Sequence, residues 1–128
     1  MAVIQSFRDL EVWNMSMDLV LECYWITDPY PTEEKYGLVA ETRKGARSIP
    51  SNVAEGHNRH APKAYLNHVN IALGSHAELD TQVEMAIRLR YVERLELATF
   101  LEVSSRVGKM LRRLQQSPEA SPTMTEGF

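Results

Sequence analysis

Apolar and small residues recur every three or four positions along almost the whole chain, and that single period restricts what it can fold into. In the first stretch Leu10, Trp13, Met17, Val20 and Tyr24 follow the pattern, with Leu21 broadening the stripe. A second stretch carries Val39, Thr42, Ala46, Ile49 and Val53, and a third Tyr65, Val69, Ala72, His76, Leu79, Val83 and Ala86. A fourth carries Leu97, Phe100, Ser104, Val107, Leu111 and Leu114. No segment alternates with period two between turn residues, so no sheet is expected.

Local signals divide the pattern into helices at about 9–27, 32–56, 62–90 and 95–116. Asp9 is placed to cap the first helix, and Pro29 and Pro31 cannot continue it. Thr32 is placed to cap the second, with Glu33 and Glu34 against the positive end of its dipole. Gly56 is the expected stop of that helix, and Pro62 suits the first turn of the next. Residues 117–128, rich in Pro, Ser, Thr and Glu, are expected to be a disordered tail. Long helices with short connections predict an all-α, antiparallel up-down-up-down four-helix bundle over residues 1–116.

Size and charge narrow the function classes. A chain of 128 residues makes one domain with a single modest core. It has no run long enough to span a bilayer and no secretory pattern at its start, and its lone Cys23 can form no internal disulfide. A cytoplasmic location is the expectation. The net charge of −3 hides an uneven distribution. Residues 43–63 hold five cations and one carboxylate, and residues 106–116 hold four cations and none. Local patches of this kind matter even where the sum does not.

The densest motif is "RSIPSNVAEGHNR" at residues 47–59. Pro50 falls inside the second helix, at an interior cost of roughly 3 kcal/mol, and is expected to kink it. Ser48, Ala54 and Gly56 are small and let a neighbour approach, and "ALGSHAEL" on the third helix offers Gly74 and Ser75 in return. The two stretches are expected to face each other, with Asn52 bonded to Ser75 and with Glu55, Glu78 and Arg59 in a charge network nearby. These residues read as architecture.

Together "FRDLEVW", "YGLVAETRKGARSIPSNVAEG" and "IALGSHAEL" resemble the four-helix-bundle proteins encoded by intervening sequences in bacterial 23S rRNA genes. The superfamily is similar to the accessory variability determinants of diversity-generating retroelements. The resemblance covers residues 7–114, and its most specific part is the unbroken string at 48–56. It implies a homopentamer, a ring of bundles about a channel, and in the retroelement branch binding to nucleic acid and to a reverse transcriptase. Apolar residues outside the seams suit self-association: Val12, Leu19, Ile26, Leu38, Leu66, Ile71, Leu73 and Met85.

The chemistry-bearing residues give a short set of candidates. Arg43, Lys44, Arg47, Arg59 and Lys63, with Arg106, Lys109, Arg112 and Arg113, could hold RNA or DNA backbone. The plainer reading of the last four is compensation of the helix dipole. His57, His60, His68 and His76 do not form a metal-binding pattern, and no Glu-x-x-His pair of the di-iron type occurs. There is no phosphate loop, nucleophile elbow or H-E-x-x-H. Cys23 reads as an inert buried thiol, and Trp13 and Trp25 as packing. The expectation is a non-enzymatic oligomeric accessory protein without cofactor, metal or membrane that binds nucleic acid. The alternative is a pentameric protein-interaction scaffold with no nucleic-acid role.

Overall fold

The computed structural model describes residues 3–117. It is all-α, with α1 (Glu11–Thr27), α2 (Leu38–Asn58), α3 (Pro62–Arg88) and α4 (Ala98–Gln115). Short 3-10 turns at Phe7–Asp9, Thr32–Glu34 and Arg94–Leu97 lead into α1, α2 and α4. No strand occurs among the described residues. The tail expected at 117–128 lies, from residue 118 on, outside them.

Each helix packs against two others: α2 lies against α1 and α3, and α4 against α3 and α1. That arrangement is consistent with a four-helix bundle. Along α2, Gly45 faces Leu79, Ser48 meets Ser75, Asn52 meets His68, and Gly56 meets Tyr65. Partner numbers fall as those of α2 rise. They fall likewise from α3 to α4, where Asn70 meets Gln115 and His76 meets Ser104.

Every seam position read on the second, third and fourth helices is buried, His76 and Ser104 included. The first helix is turned from the expected orientation. Its buried face is Val12, Ser16, Leu19, Cys23 and Thr27, while Met17 and Leu21 are exposed and Trp13, Val20 and Tyr24 half-buried. The shift is one residue, or about 100° of helix rotation. Small polar side chains tolerate this core because they bond their own backbone. The Ser16 hydroxyl donates to the Trp13 carbonyl at 2.9 Å, and that of Thr27 to the Cys23 carbonyl at 2.8 Å. Val12 and Leu19 therefore need no second molecule to cover them.

The helix ends also differ from expectation. Asp9 does not cap α1; its carboxylate accepts the Gln5 and Ser6 N–H groups at 2.9 and 3.1 Å, which holds its pKa below the usual value. Thr32 opens a 3-10 turn, and α2 starts at Leu38, whose N–H is taken by Glu34 Oε1 at 3.1 Å. Gly56 does not stop α2. The helix continues through Pro50 and Gly56 to Asn58, and His60, at φ 54°, supplies the left-handed residue. Glycine is needed at 56 for close approach, since a Cβ there would lie 2.8 Å from the Cβ of His68. Pro62 occupies the first turn of α3, as expected.

Candidate functional site

The family-like motif builds the α2–α3 contact, with a different bonding from the one read in the sequence. Ser48 and Ser75 share a hydrogen bond of 2.8 Å across the interface. Asn52 does not reach Ser75. Its amide donates to the Ser48 carbonyl at 2.8 Å and to the Ser48 hydroxyl at 3.1 Å, and its carbonyl oxygen lies 3.0 Å from His68 Nδ1. The helix period explains the correction: Asn52 lies one turn beyond Ser48 on α2, and the residue it meets, His68, lies about two turns before Ser75 on α3. Sequence reasoning missed His68, although its spacing of one heptad from Ser75 was a usable signal.

Only part of the expected charge network forms. Arg59 pairs with Glu55 at 3.1 Å on the surface, and Glu78 is exposed and takes no part. Pro50 is buried. Within "ALGSHAEL", Ala72 and Ser75 turn toward the core and α2, whereas Gly74 and Ala77 face outward. A Cβ on Gly74 would meet no atom within 4 Å.

The cations of α2 are largely committed to α1. The Arg43 Nε donates to the Thr27 hydroxyl at 2.8 Å, its second nitrogen reaches the Tyr24 carbonyl at 3.3 Å, and its guanidinium lies 4.4 Å over the Tyr24 ring. Arg47 donates to the Tyr24 hydroxyl at 2.8 Å. These arginines close the C-terminal end of α1, where carbonyls lack helical partners and the dipole is negative. Lys44, Lys63, Arg106, Lys109, Arg112 and Arg113 are exposed, with no ion pair among the described residues.

A cleft of about 360 Å³ lies between α3 and α4, lined by His76, Asp80, Glu84, Arg94, Ser104 and Arg112 among others. Its Ser, His and Asp suggest a triad, but the hydrogen bonds run the wrong way. His76 Nε2 is 2.8 Å from the Ser104 carbonyl, which can only accept, so this nitrogen carries the proton. It cannot take one from the Ser104 hydroxyl at 3.0 Å, which instead donates to Asp80 Oδ1 at 2.9 Å. His76 is a satisfied core residue. Among the described residues no group of three or more His, Cys, Asp or Glu could hold a metal ion. Cys23 is buried, and burial pushes its thiol up to about 12, so it carries no thiolate at neutral pH. No described helix is long and apolar enough to cross a membrane.

The model of the 23S rRNA-intervening sequence protein family matches residues 8–113. The chain belongs to that family. No curated protein gives a significant match.

In this intervening-sequence protein, charge separates along the helices. Contacts join the turn before α1 to α2, the end of α2 to the start of α3, and α3 at Asn70 to the end of α4, and these stretches make up one half. It is tied together by Gly56 against Tyr65 and by the 2.8 Å bond between Asn70 and Gln115. Residues 3–18, 48–75 and 105–117 give it seven cations (Arg8, Arg59, Lys63, Arg106, Lys109, Arg112 and Arg113) against four carboxylates. The opposite half, residues 19–47 and 76–104, holds seven cations against eleven carboxylates. The fold thus brings Arg59 and Lys63 into the same half as the α4 cations, and leaves Arg43, Lys44 and Arg47 in the other. Arg8 was absent from the sequence candidates because it stands alone among acidic residues.

Proposed function

We propose that this protein is a non-enzymatic, oligomeric accessory protein whose basic half holds RNA or DNA backbone without reading sequence. The observation that carries this reading is the placement of Arg59, Lys63, Arg106, Lys109 and Arg113, all exposed, in one half of the molecule, with Arg112 beside them on α4 but lining the α3–α4 cleft. Clustered exposed cations release counterions from a phosphate chain, and such contacts set affinity and not sequence preference. The falling partner numbers between consecutive helices support an antiparallel up-down-up-down bundle. Exposed Met17, Leu21 and Trp25 on α1, with Ile71 and Met85 on α3, support assembly of copies. These two faces are unlike and lie on helices that are not neighbours, which favours a head-to-tail contact between copies, and the homopentameric ring is what the family resemblance implies for such a contact. A cytoplasmic location suits the lone reduced Cys23.

Gel shifts with structured RNA and single-stranded DNA at about 50 mM salt test the reading. Complexes are expected whose affinity falls steeply with salt, and Arg106→Glu with Lys109→Glu and Arg113→Glu should abolish them. Absence of any complex with the wild type overturns it.

The second reading, a pentameric scaffold for a protein such as a reverse transcriptase with no nucleic-acid role, is favoured by the net charge of −3. It calls for salt-insensitive co-purification with a protein, unaffected by the same charge reversals.

A further inference from the structure

The end away from the basic half is made by the α1–α2 and α3–α4 connections, and they are fastened to each other. The Tyr91 hydroxyl donates to Glu34 Oε2 at 2.9 Å, and the rings of Tyr30 and Tyr91 lie 5.7 Å apart. Tyr36 lies two residues beyond Glu34 and is 87% exposed; Leu95 lies four beyond Tyr91 and is 90% exposed. Leu89, at the end of α3, is 53% exposed. None of the three packs into the core, and each lies within four residues of Glu34 or Tyr91 in the chain.

The same end is negative. Residues 25–41 and 84–102 carry eight carboxylates against four cations, and two of those cations, Arg88 and Arg94, are both bound to Glu84 at 3.2 and 2.9 Å. Asp28, Glu33, Glu93 and Glu96 are exposed without an ion pair among the described residues. The Tyr36 ring already accepts a cation, with Lys35 Nζ 5.4 Å from its centroid.

Charge selects the occupant. Nucleic acid and anionic lipid are repelled by this surface. A second copy fits less well, because α4 and the α2–α3 connection, which hold most cations of the basic half, expose no large apolar side chain, and the exposed Met17 and Ile71 of that half belong to the surfaces proposed for assembly of copies. A matching partner brings apolar and cationic groups together. We propose that this end docks a cationic amphipathic segment of a partner protein, with its apolar face on Tyr36, Leu89 and Leu95 and its cations toward Asp28, Glu33, Glu93 and Glu96. This is a site separate from the basic half, and it stands or falls without the nucleic-acid reading.

The probe is a fluorescein-labelled amphipathic helix of lysine and leucine, titrated by anisotropy with the full-length protein, beside a glutamate–leucine counterpart. The lysine peptide should bind, and Tyr36→Ser with Leu95→Ser should weaken it roughly tenfold or more. Both residues are exposed, so an unchanged circular-dichroism melt verifies folding, and Asp28→Lys with Glu33→Lys gives an independent second variant. Arg106→Glu with Lys109→Glu should leave peptide binding unchanged. Equal binding of the acidic peptide, or insensitivity to both end variants, overturns the proposal. So does a wild-type assembly in sedimentation that Tyr36→Ser with Leu95→Ser dissolves, since the occupant would then be a second copy. Gel shifts on the same variants report the basic half separately.

Discussion

Gly56 and His68 leave no room for a methyl group between them: a Cβ on Gly56 would lie 2.8 Å from that of His68. At Gly74, on the outer side of α3, the same added carbon would touch nothing. Gly56→Ala should therefore lower stability by about 1–3 kcal/mol through overpacking, less the roughly 1 kcal/mol that alanine gains in a helix. Gly74→Ala should raise it by up to about 1 kcal/mol. Urea midpoints of the two variants should move in opposite directions.

Asn52 bonds Ser48 within α2 and His68 across to α3. Asn52→Leu removes both contacts and leaves polar groups in the interface without partners, at a cost of about 1–3 kcal/mol. Ser75→Ala should cost less, because Ser48 keeps its bond from Asn52. Equal losses in denaturant unfolding would sink this bonding scheme.

The protonated Nε2 of His76 gives Ser104 no base. Ser104 should stay unlabelled by a fluorophosphonate probe at neutral pH, as read by intact-protein mass spectrometry. Stoichiometric labelling that Ser104→Ala abolishes would show that the hydroxyl is a nucleophile after all.

Burial raises the Cys23 thiol from 9.0 to about 12, and the Tyr30 phenol from 10.0 to about 12. Both groups are neutral in the fold and ionise more readily when unfolded. Their contribution is fully present below pH 9.0 and is lost as pH rises through about 12. Melting temperature should fall across the alkaline range, and Cys23→Ala should flatten that fall. Ellman's reagent should react with the native thiol only at the rate of unfolding.

Glu34 is the acid-side counterpart. The Leu38 N–H and then the Tyr91 hydroxyl hold its carboxyl below the ordinary 4.5. Its stabilising effect is present above the unfolded value and is lost as pH falls through the lowered one. Glu34→Gln should lower the melting temperature at neutral pH and make it less sensitive to acid.

Three of the four helices were legible in the sequence because their buried stripes are apolar and three-four spaced, down to His76 and Ser104. The first was misread by one residue because it buries Ser16, Cys23 and Thr27 and exposes Met17, Leu21 and Trp25. Hydrophobicity points the wrong way where hydroxyls are satisfied by their own helix. The candidate cations were all visible, but their grouping was not. Sequence order placed Arg47 with Arg59, whereas helix direction sends them to opposite halves. That Arg43 and Arg47 serve Tyr24 and Thr27 could not be read before α1 was correctly turned.

The bond between Tyr91 and Glu34 joins residues 57 positions apart. Closing so long a loop carries an entropic cost that must be met before the contact contributes anything. It is expected to form after each connection has its neighbouring helices in place, late in folding. Its effect then falls on how long the native state lasts and hardly on how quickly it is reached.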